Sequence, residues 1–487
     1  MRAAIAIAAT VVAVLSGANT QAGFEANFTD RTLRIDLYHA GNAVEEFYTL
    51  DRVVEEGAWA GSRTHLVAPQ QHGRYLARLF EVTTGQVLFA RSFDSYFGEY
   101  RTTPAAGKGV RRTFSESLLV PFPRHTVKLT IDARAPDGAL HQVFVAEVDP
   151  SEAARRPLEA SVTMVASHVV ADPHAALDIA ILGEGYTARE EGKFRRDLDR
   201  FTRVLLAAEP FASSQAHINI RGVLKPSQES GCNEPSRGVW RSTALGAGFD
   251  ALGSERYLLT EDNRALRDVA AHVPYDVLVI MVNSPRYGGG GIYGLYCTFT
   301  SDNQFSPYLF VHELGHALAG LADEYYTSAV AYNEFYPLGV EPEAPNITAL
   351  LDPKLLKWRD LLTPGASVPT PWEKGAYDEM DLAYQKRRQE INAQIAGLMR
   401  SGAPAAEVER LKAEGEQLAL ENARRVDAFL AKSAAAGKVG AFEGAGYTSK
   451  GMFRPMVDCI MFSKGNGKPF CAVCRRALAQ VIAQHGE

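Results

Sequence analysis

The 487-residue sequence is poor in cysteine, carries no surplus of positive charge and has no long apolar run beyond its first fifteen residues. Five cysteines are too few to scaffold a chain of this size, and their odd number leaves at least one without an intramolecular disulfide partner. With 51 basic against 57 acidic side chains and a formal charge of -6, there is no cationic footprint for phosphates, so nucleic acid is excluded as the expected partner. No internal stretch approaches the ~20 apolar residues that span a bilayer, so the mature chain is expected to stay out of the membrane. A phosphate loop is also missing. The run Gly288 to Gly291 has neither a Gly-Lys-Ser/Thr ending nor a GxGxxG pattern, and reads instead as a flexible loop bordering a cleft.

What is present is ordinary globular material, 46% hydrophobic and 22% charged, long enough for two or three domains. Met1-Arg2, an Ala/Ile/Val run to Leu15 and a small-x-Ala site ending at Ala22 make a secretory signal peptide over residues 1–22. A secreted or periplasmic location follows. There cysteines can pair, and Cys232 with Cys297, plus two of Cys459, Cys471 and Cys474, is the expected pairing.

Residues 23–155 have period two: Leu33, Ile35 and Leu37 alternate with Arg34 and Asp36, and Val127, Leu129 and Ile131 with polar neighbours. Turn signals such as Thr84-Gly85 and Pro136-Asp137-Gly138 punctuate these runs, so an antiparallel β-sandwich is expected. From residue 156 to 487 strands and helices alternate, giving an α+β or α/β domain. Apolar strands are expected at Leu177 to Leu182 and Val277 to Val282, with Thr187 as the N-cap of a helix carrying Phe194, Leu198, Phe201 and Leu205. Residues 377–432 read as a helical hairpin, a solvated structural insertion or else a recognition element. Its apolar stripes include Ile391, Ile395 and Leu398 on one arm and Val408, Leu411 and Leu418 on the other.

The chemistry is concentrated in Val311-His312-Glu313-Leu314-Gly315-His316. Residues four apart share a helix face, so His312 and His316 can offer imidazole nitrogens to one Zn²⁺ while Glu313 stands beside the water the metal activates. A catalytic zinc needs a third protein ligand and an open position. Asp323 is the nearest candidate, but on an unbroken helix it would sit ~10 Å along the axis from His316. The helix must therefore end and turn back, and Gly320 is the residue able to end it. Near the C-terminus Met461 lies in a tight-looking segment, Asp458-Cys459-Ile460-Met461-Phe462-Ser463, which resembles the Met-turn of metzincins.

Together with Gly320-Leu321-Ala322-Asp323-Glu324-Tyr325, Gly440 to Tyr447, Arg454-Pro455 through Phe462, and Phe470-Cys471-x-x-Cys474, this segment resembles the M64 family of metallopeptidases, the IgA-peptidase family, over about residues 160–480. The resemblance implies a zinc endopeptidase with a metzincin-like core, an accompanying N-terminal β domain and a bacterial source. Glycine and third ligand usually follow the second histidine by three and six residues in metzincins; here Gly320 and Asp323 follow by four and seven. Asp323 is therefore joined as ligand candidate by Glu324 and by distant carboxylates such as Glu334 or Glu341. In the expected mechanism Glu313 is general base and then general acid. Tyr447 and Arg454 are candidate oxyanion stabilisers, Met461 packs under the metal, and the strand Val277 to Val282 runs along the cleft to pair with a protein or peptide substrate. The alternatives are a zinc amidase or peptidase confined to short or cell-wall peptides, and a non-catalytic binding protein with a structural metal.

Overall fold

The structure, a computed structural model, describes residues 21–68, 72–327 and 335–486. The signal-peptide reading lies outside the described residues except at 21 and 22, where a short helix α1 (Gln21–Asn27) begins. Among the described residues no helix is long and apolar enough to cross a membrane.

The period-two region folds into β1 (Phe28–Gly41), β2 (Glu46–Glu55), β3 (Tyr75–Glu81), β4 (Val87–Phe93), the short helices α2 (Tyr96–Tyr100) and α3 (Pro104–Gly107), β5 (Arg112–Pro123), β6 (Val127–Arg134), β7 (Leu140–Val148) and β8 (Ala154–Arg155). These make two four-stranded sheets, ordered β5-β1-β2-β8 and β4-β3-β6-β7. Alternation sends Leu33, Ile35 and Leu37 of β1, Ala77 and Leu79 of β3, and Leu129 and Ile131 of β6 into one core shared by both sheets. The polar face of β1 is not the solvent face that its alternation suggests. Arg34 and Asp36 are each 1% exposed, and Arg34 donates to Glu56 Oε1 at 2.8 Å and to Asp268 Oδ1 at 2.8 Å. A buried guanidinium needs such partners because a charge left unpaired away from water is costly.

The second half opens with β9 (Thr163–His168), β10 (Leu177–Glu184), α4 (Glu191–Leu206), β11 (Ile218–Leu224), α5 (Asn263–Ala270), β12 (Val277–Val282), β13 (Gly289–Ile292), β14 (Tyr296–Thr300) and α6 (Ser306–Ala319). Entry into the segment preceding α4 is fixed by Thr187, whose N–H and Oγ1 both donate to the Glu190 carboxylate at 2.9 Å. The six strands form one sheet ordered β13-β14-β12-β10-β11-β9. Strands β11, β10, β12 and β14 run parallel, whereas β13 and β9 are antiparallel at its two ends. Leu177, Ile179 and Ile181 of β10 face α4 and α6, while Ala180 and Leu182 face α5. The α5 layer also holds Tyr96, Phe97 and Phe114, so one hydrophobic core is built from both halves of the chain.

This order corrects the reading of Val277 to Val282 as a substrate-pairing strand. Strand β12 is hydrogen-bonded on both sides, to β10 and to β14, and all six of its residues are buried. An unbroken apolar run is what a doubly covered parallel strand requires. The strand at the end of the sheet is β13, drawn from the glycine run expected to be a flexible loop.

Two long helices, α7 (Lys374–Arg400) and α8 (Ala405–Ala431), form the hairpin, followed by the strand pair β15 (Phe442–Ala445) and β16 (Thr448–Arg454) and the helix α9 (Ala472–His485). Ile391, Ile395, Val408 and Leu411 make a private core between the arms. Nearer the body, Tyr377, Ala423, Val426 and Leu430 join the main core, so the hairpin is anchored rather than simply solvated.

All five cysteines are free, which overturns both expected disulfides. Cys297 belongs to the core on the α6 face of the sheet and Cys232 to the core on the α5 face, so the sheet separates them. Cys459 and Cys474 approach to 3.9 Å between sulfurs without bonding.

Candidate active site

Helix α6 lies against β13 and β14 and is almost wholly buried, which holds its side chains in fixed rotamers. It stops at Gly320, whose φ of 59° is the left-handed conformation that favours glycine, and whose N–H bonds back to His316 O at 3.0 Å. The chain then reverses and returns Asp323 to the imidazoles. His312 Nε2 and His316 Nε2 are 3.2 Å apart, and Asp323 Oδ1 lies 3.1 Å from the first and 3.3 Å from the second. Four-coordinate ligands at ~2.0–2.1 Å from a common centre stand ~3.3–3.4 Å apart, so these atoms occupy three corners of a metal-sized tetrahedron.

The protons point the other way. His312 Nδ1 is 3.0 Å from Ile460 O, and His316 Nδ1 bonds Leu321 O; carbonyls can only accept, so each Nδ1 carries the hydrogen and each Nε2 a lone pair. Asp323 Oδ2 accepts from Tyr447 Oη at 2.7 Å, while Oδ1, buried, has no hydrogen-bond donor. Three lone-pair atoms facing one another need a cation between them. Burial alone would lower the pKa of His316, but the Asp323 carboxylate beside it raises it to about 9. Burial would likewise raise Asp323, yet the two imidazoles hold it well below the usual carboxylate range.

Glu313 points into the same space, its carboxylate within 4.8 Å of both imidazoles. Burial pushes its pKa up, against the pull of the histidines and Arg256. The helix can sit this close to β13 only because the strand is glycine. A Cβ at Gly289 would lie 3.0 Å from Glu313 Oε1, and one at Gly291 would lie 2.5 Å from Glu313 O and 2.8 Å from His316 Cβ.

The cluster opens into a cleft of about 190 Å³, bounded by Gly289 to Gly291 on one side, by Arg256, Tyr287, Tyr308, Tyr325 and Tyr447 around the histidines, and by Tyr384, Arg388 and Asn422 of the hairpin. A single water needs only ~10–15 Å³ on this measure, so substrate groups fit beside one. Arg256 donates to Tyr325 Oη at 3.3 Å and lies over its ring at 5.5 Å. Sequence reasoning passed over Arg256, which lies in a loop with no motif around it, and the cleft-facing side of the hairpin.

Other expected residues stand elsewhere. Arg454 is fully buried outside the cleft, stacked on Phe462 at 3.8 Å and Trp372 at 4.3 Å, with Nη1 donating to Gly444 O at 2.6 Å; it faces no substrate oxygen. Glu324 turns away from the histidines toward Asn346 and Cys474. Glu341 is occupied by Thr348, Ala349 and Lys357, and Glu334 lies outside the described residues. Met461 is buried in a tight turn closed by Phe462 N–H and Ser463 N–H to Cys459 O, and its carbonyl accepts from Glu324 N–H at 2.8 Å.

The family model described as IgA Peptidase M64 matches residues 165–482, and that described as Peptidase M64 N-terminus matches residues 23–145. The chain belongs to the IgA peptidase M64 family. Members of this family are metallopeptidases, so this M64 protein is a hydrolase of the metallopeptidase class acting on protein or peptide substrates. Its N-terminal match covers the β-rich region and its longer match covers the six-stranded sheet, α6 and the Met461 turn. No curated protein matches the chain.

Proposed function

We propose that the protein is a secreted zinc-dependent endopeptidase in which His312, His316 and Asp323 hold the ion and Glu313 moves the proton. The observation that carries this reading is the triangle of lone-pair atoms with Glu313 beside it and the cleft at its open corner. A structural zinc would have a fourth protein ligand there. When bound, the ion supplies Lewis acidity, lowering the pKa of water toward ~7 and polarising a carbonyl. Glu313 takes a proton from the attacking water and delivers it to the departing amine nitrogen, and the raised affinity of its buried carboxylate for a proton suits it to hold that proton between the transfers. Arg256 and Tyr325, on the cleft wall, are the donors for the oxygen that gains negative charge. Tyr447 is a positioning residue, holding Asp323 by Oδ2 so that Oδ1 faces the histidines.

Several features support protein over short-peptide substrates. Strand β13 ends the sheet; its Gly289 carbonyl already accepts from Leu258 N–H at 3.2 Å, while Gly290 and Gly291 line the cleft beyond that contact, where an extended chain can lie, and the hairpin lengthens the opposite wall. A zinc helix ended by glycine, followed by a tight methionine turn, supports the metzincin-like assignment, and the core shared by the N-terminal sheets supports a β-sandwich. Secretion rests on the signal sequence at residues 1–22.

The test is Glu313→Gln assayed on casein and on a panel of short peptides. Zinc content is expected to stay at the wild-type level while casein hydrolysis falls ~10²–10⁴-fold. Undiminished hydrolysis by the variant overturns the mechanism, and wild-type activity on short peptides alone overturns the endopeptidase assignment.

A further inference from the structure

Directly behind the histidine site, on the other side of the Asp323-Glu324 pair, three segments bring four soft or acidic side chains to one point. Glu324 comes from the chain after α6, Cys459 from the turn that carries Met461, and Cys471 and Cys474 from the first turn of α9. Their ligand atoms all lie within 4.8 Å of one another and all four residues are buried. Cys459 Sγ is 3.9 Å from Cys474 Sγ, and Glu324 Oε1 is 3.3 Å from Cys474 Sγ and 3.9 Å from Cys471 Sγ. Around a tetrahedral zinc with Zn–S of ~2.3 Å and Zn–O of ~2.1 Å, sulfurs stand ~3.8 Å apart and sulfur and oxygen ~3.6 Å apart. The observed spacings bracket those edges.

Two further observations point to a cation. Glu324 is fully buried and its Oε2 has no hydrogen-bond partner, a costly state for a carboxylate even with the Arg454 guanidinium near enough to act on it through space. Backbone N–H groups are also directed at sulfur: Cys471 N and Met461 N at Cys459 Sγ (3.2 and 3.5 Å), and Cys474 N at Cys471 Sγ (3.5 Å). Such donors stabilise negative charge on sulfur and orient metal ligands.

We propose that Cys459, Cys471, Cys474 and Glu324 bind a second, structural zinc ion. Its four protein ligands close the coordination sphere, with no open position for water or substrate, unlike the histidine site. The ion ties the C-terminal helix to the two segments that shape the first site. Glu324 is bonded to Asp323 along the chain, its N–H holds Met461 O, and the carbonyl next to Cys459, that of Ile460, fixes the tautomer of His312. It also keeps three adjacent thiols out of disulfide chemistry in an oxidising compartment.

The proposal is tested on the full mature chain, with metal as the readout so that it stands apart from peptidase activity. Zinc analysis is expected to give two ions per wild-type chain and one in the His312→Ala/His316→Ala double variant. Cobalt substituted into the double variant is expected to show thiolate-to-cobalt charge transfer in the near ultraviolet with intense tetrahedral visible bands. Should that variant fail to fold, X-ray absorption at the zinc edge of the wild type gives the same answer through a sulfur shell at ~2.3 Å, because the histidine site holds no thiolate. One zinc per wild-type chain with no sulfur shell, or a mapped disulfide between any two of the three cysteines, overturns it.

Discussion

The contact between β13 and α6 sets the sharpest quantitative expectation. Replacing Gly291 by alanine adds one methyl group that would sit 2.5 Å from the Glu313 carbonyl oxygen and 2.8 Å from His316 Cβ. The first of these is 0.9 Å inside the 3.4 Å at which ordinary contact begins, and both neighbours belong to the backbone or its first carbon, so no flexible side chain can swing away. Strand and helix must separate by most of an ångström. Overpacking of this kind costs ~1–3 kcal/mol, which for a body of this size lowers Tm by ~1–1.5 °C per kcal/mol. Function suffers more, since a displacement of ~1 Å at reacting groups costs ~10²-fold. The Gly291→Ala protein is expected to fold with a Tm ~1–4 °C lower and kcat/KM reduced ~10²-fold, measured by calorimetry and casein hydrolysis. Gly397→Ala, on a hairpin helix where nothing lies within 4 Å of the new methyl, is the control and is expected to gain ~0.5–1 kcal/mol. Wild-type Tm and activity in Gly291→Ala would refute the claim that glycine is there for close approach.

Three other outcomes follow from the same geometry. Tyr447→Phe removes the bond to Asp323 Oδ2 and is expected to weaken metal affinity ~10–100-fold, read by competition with a chelating dye. Arg256→Met is expected to lower kcat ~10²–10³-fold with less change in KM; a change in KM alone would assign Arg256 to substrate binding instead. In metal-stripped protein the raised pKa of His316 means that its pairing with Asp323 stabilises the fold fully below the unfolded value near 6.5 and is lost as pH rises through about 9, a contribution on the order of 3 kcal/mol. Chelated protein should therefore lose Tm across that window while loaded protein does not, and a chelated Tm that rises instead would contradict the pairing.

What could be read in advance was what lies close in sequence. The i, i+4 histidines of α6, the glycine that ends it and the carboxylate three residues later form one local grammar, and the structure brings His312, Glu313, His316 and Asp323 together. The hairpin stripes were visible for the same reason, because Ile391, Ile395, Val408 and Leu411 recur at helical spacing. Strand order was not visible: Val277 to Val282 and Gly289 to Ile292 trade places between centre and edge, and four residues with three glycines carry no alternation to read. Arg454 was drawn toward the site by its nearness in sequence to Met461, whereas its guanidinium is held between two aromatic rings outside the cleft. The thiols were paired on compartment alone, since nothing in the sequence says that Glu324 returns to meet Cys459, Cys471 and Cys474.

The core that joins Tyr96, Phe97 and Phe114 to Leu182, Leu266 and Val269 has a bearing on how the chain is made. Those aromatic residues leave the ribosome first, and the helix α5 that covers them follows roughly 150 residues later, on the order of ten to thirty seconds at ordinary synthesis rates. Arg34 waits longer still for Asp268, 234 residues further on. For that interval the β-rich half exposes an apolar patch, and Arg34 has Glu56 and Asp36 but lacks its third carboxylate. Export of the unfolded chain, which the signal sequence proposed for residues 1–22 would direct, would let both halves close together.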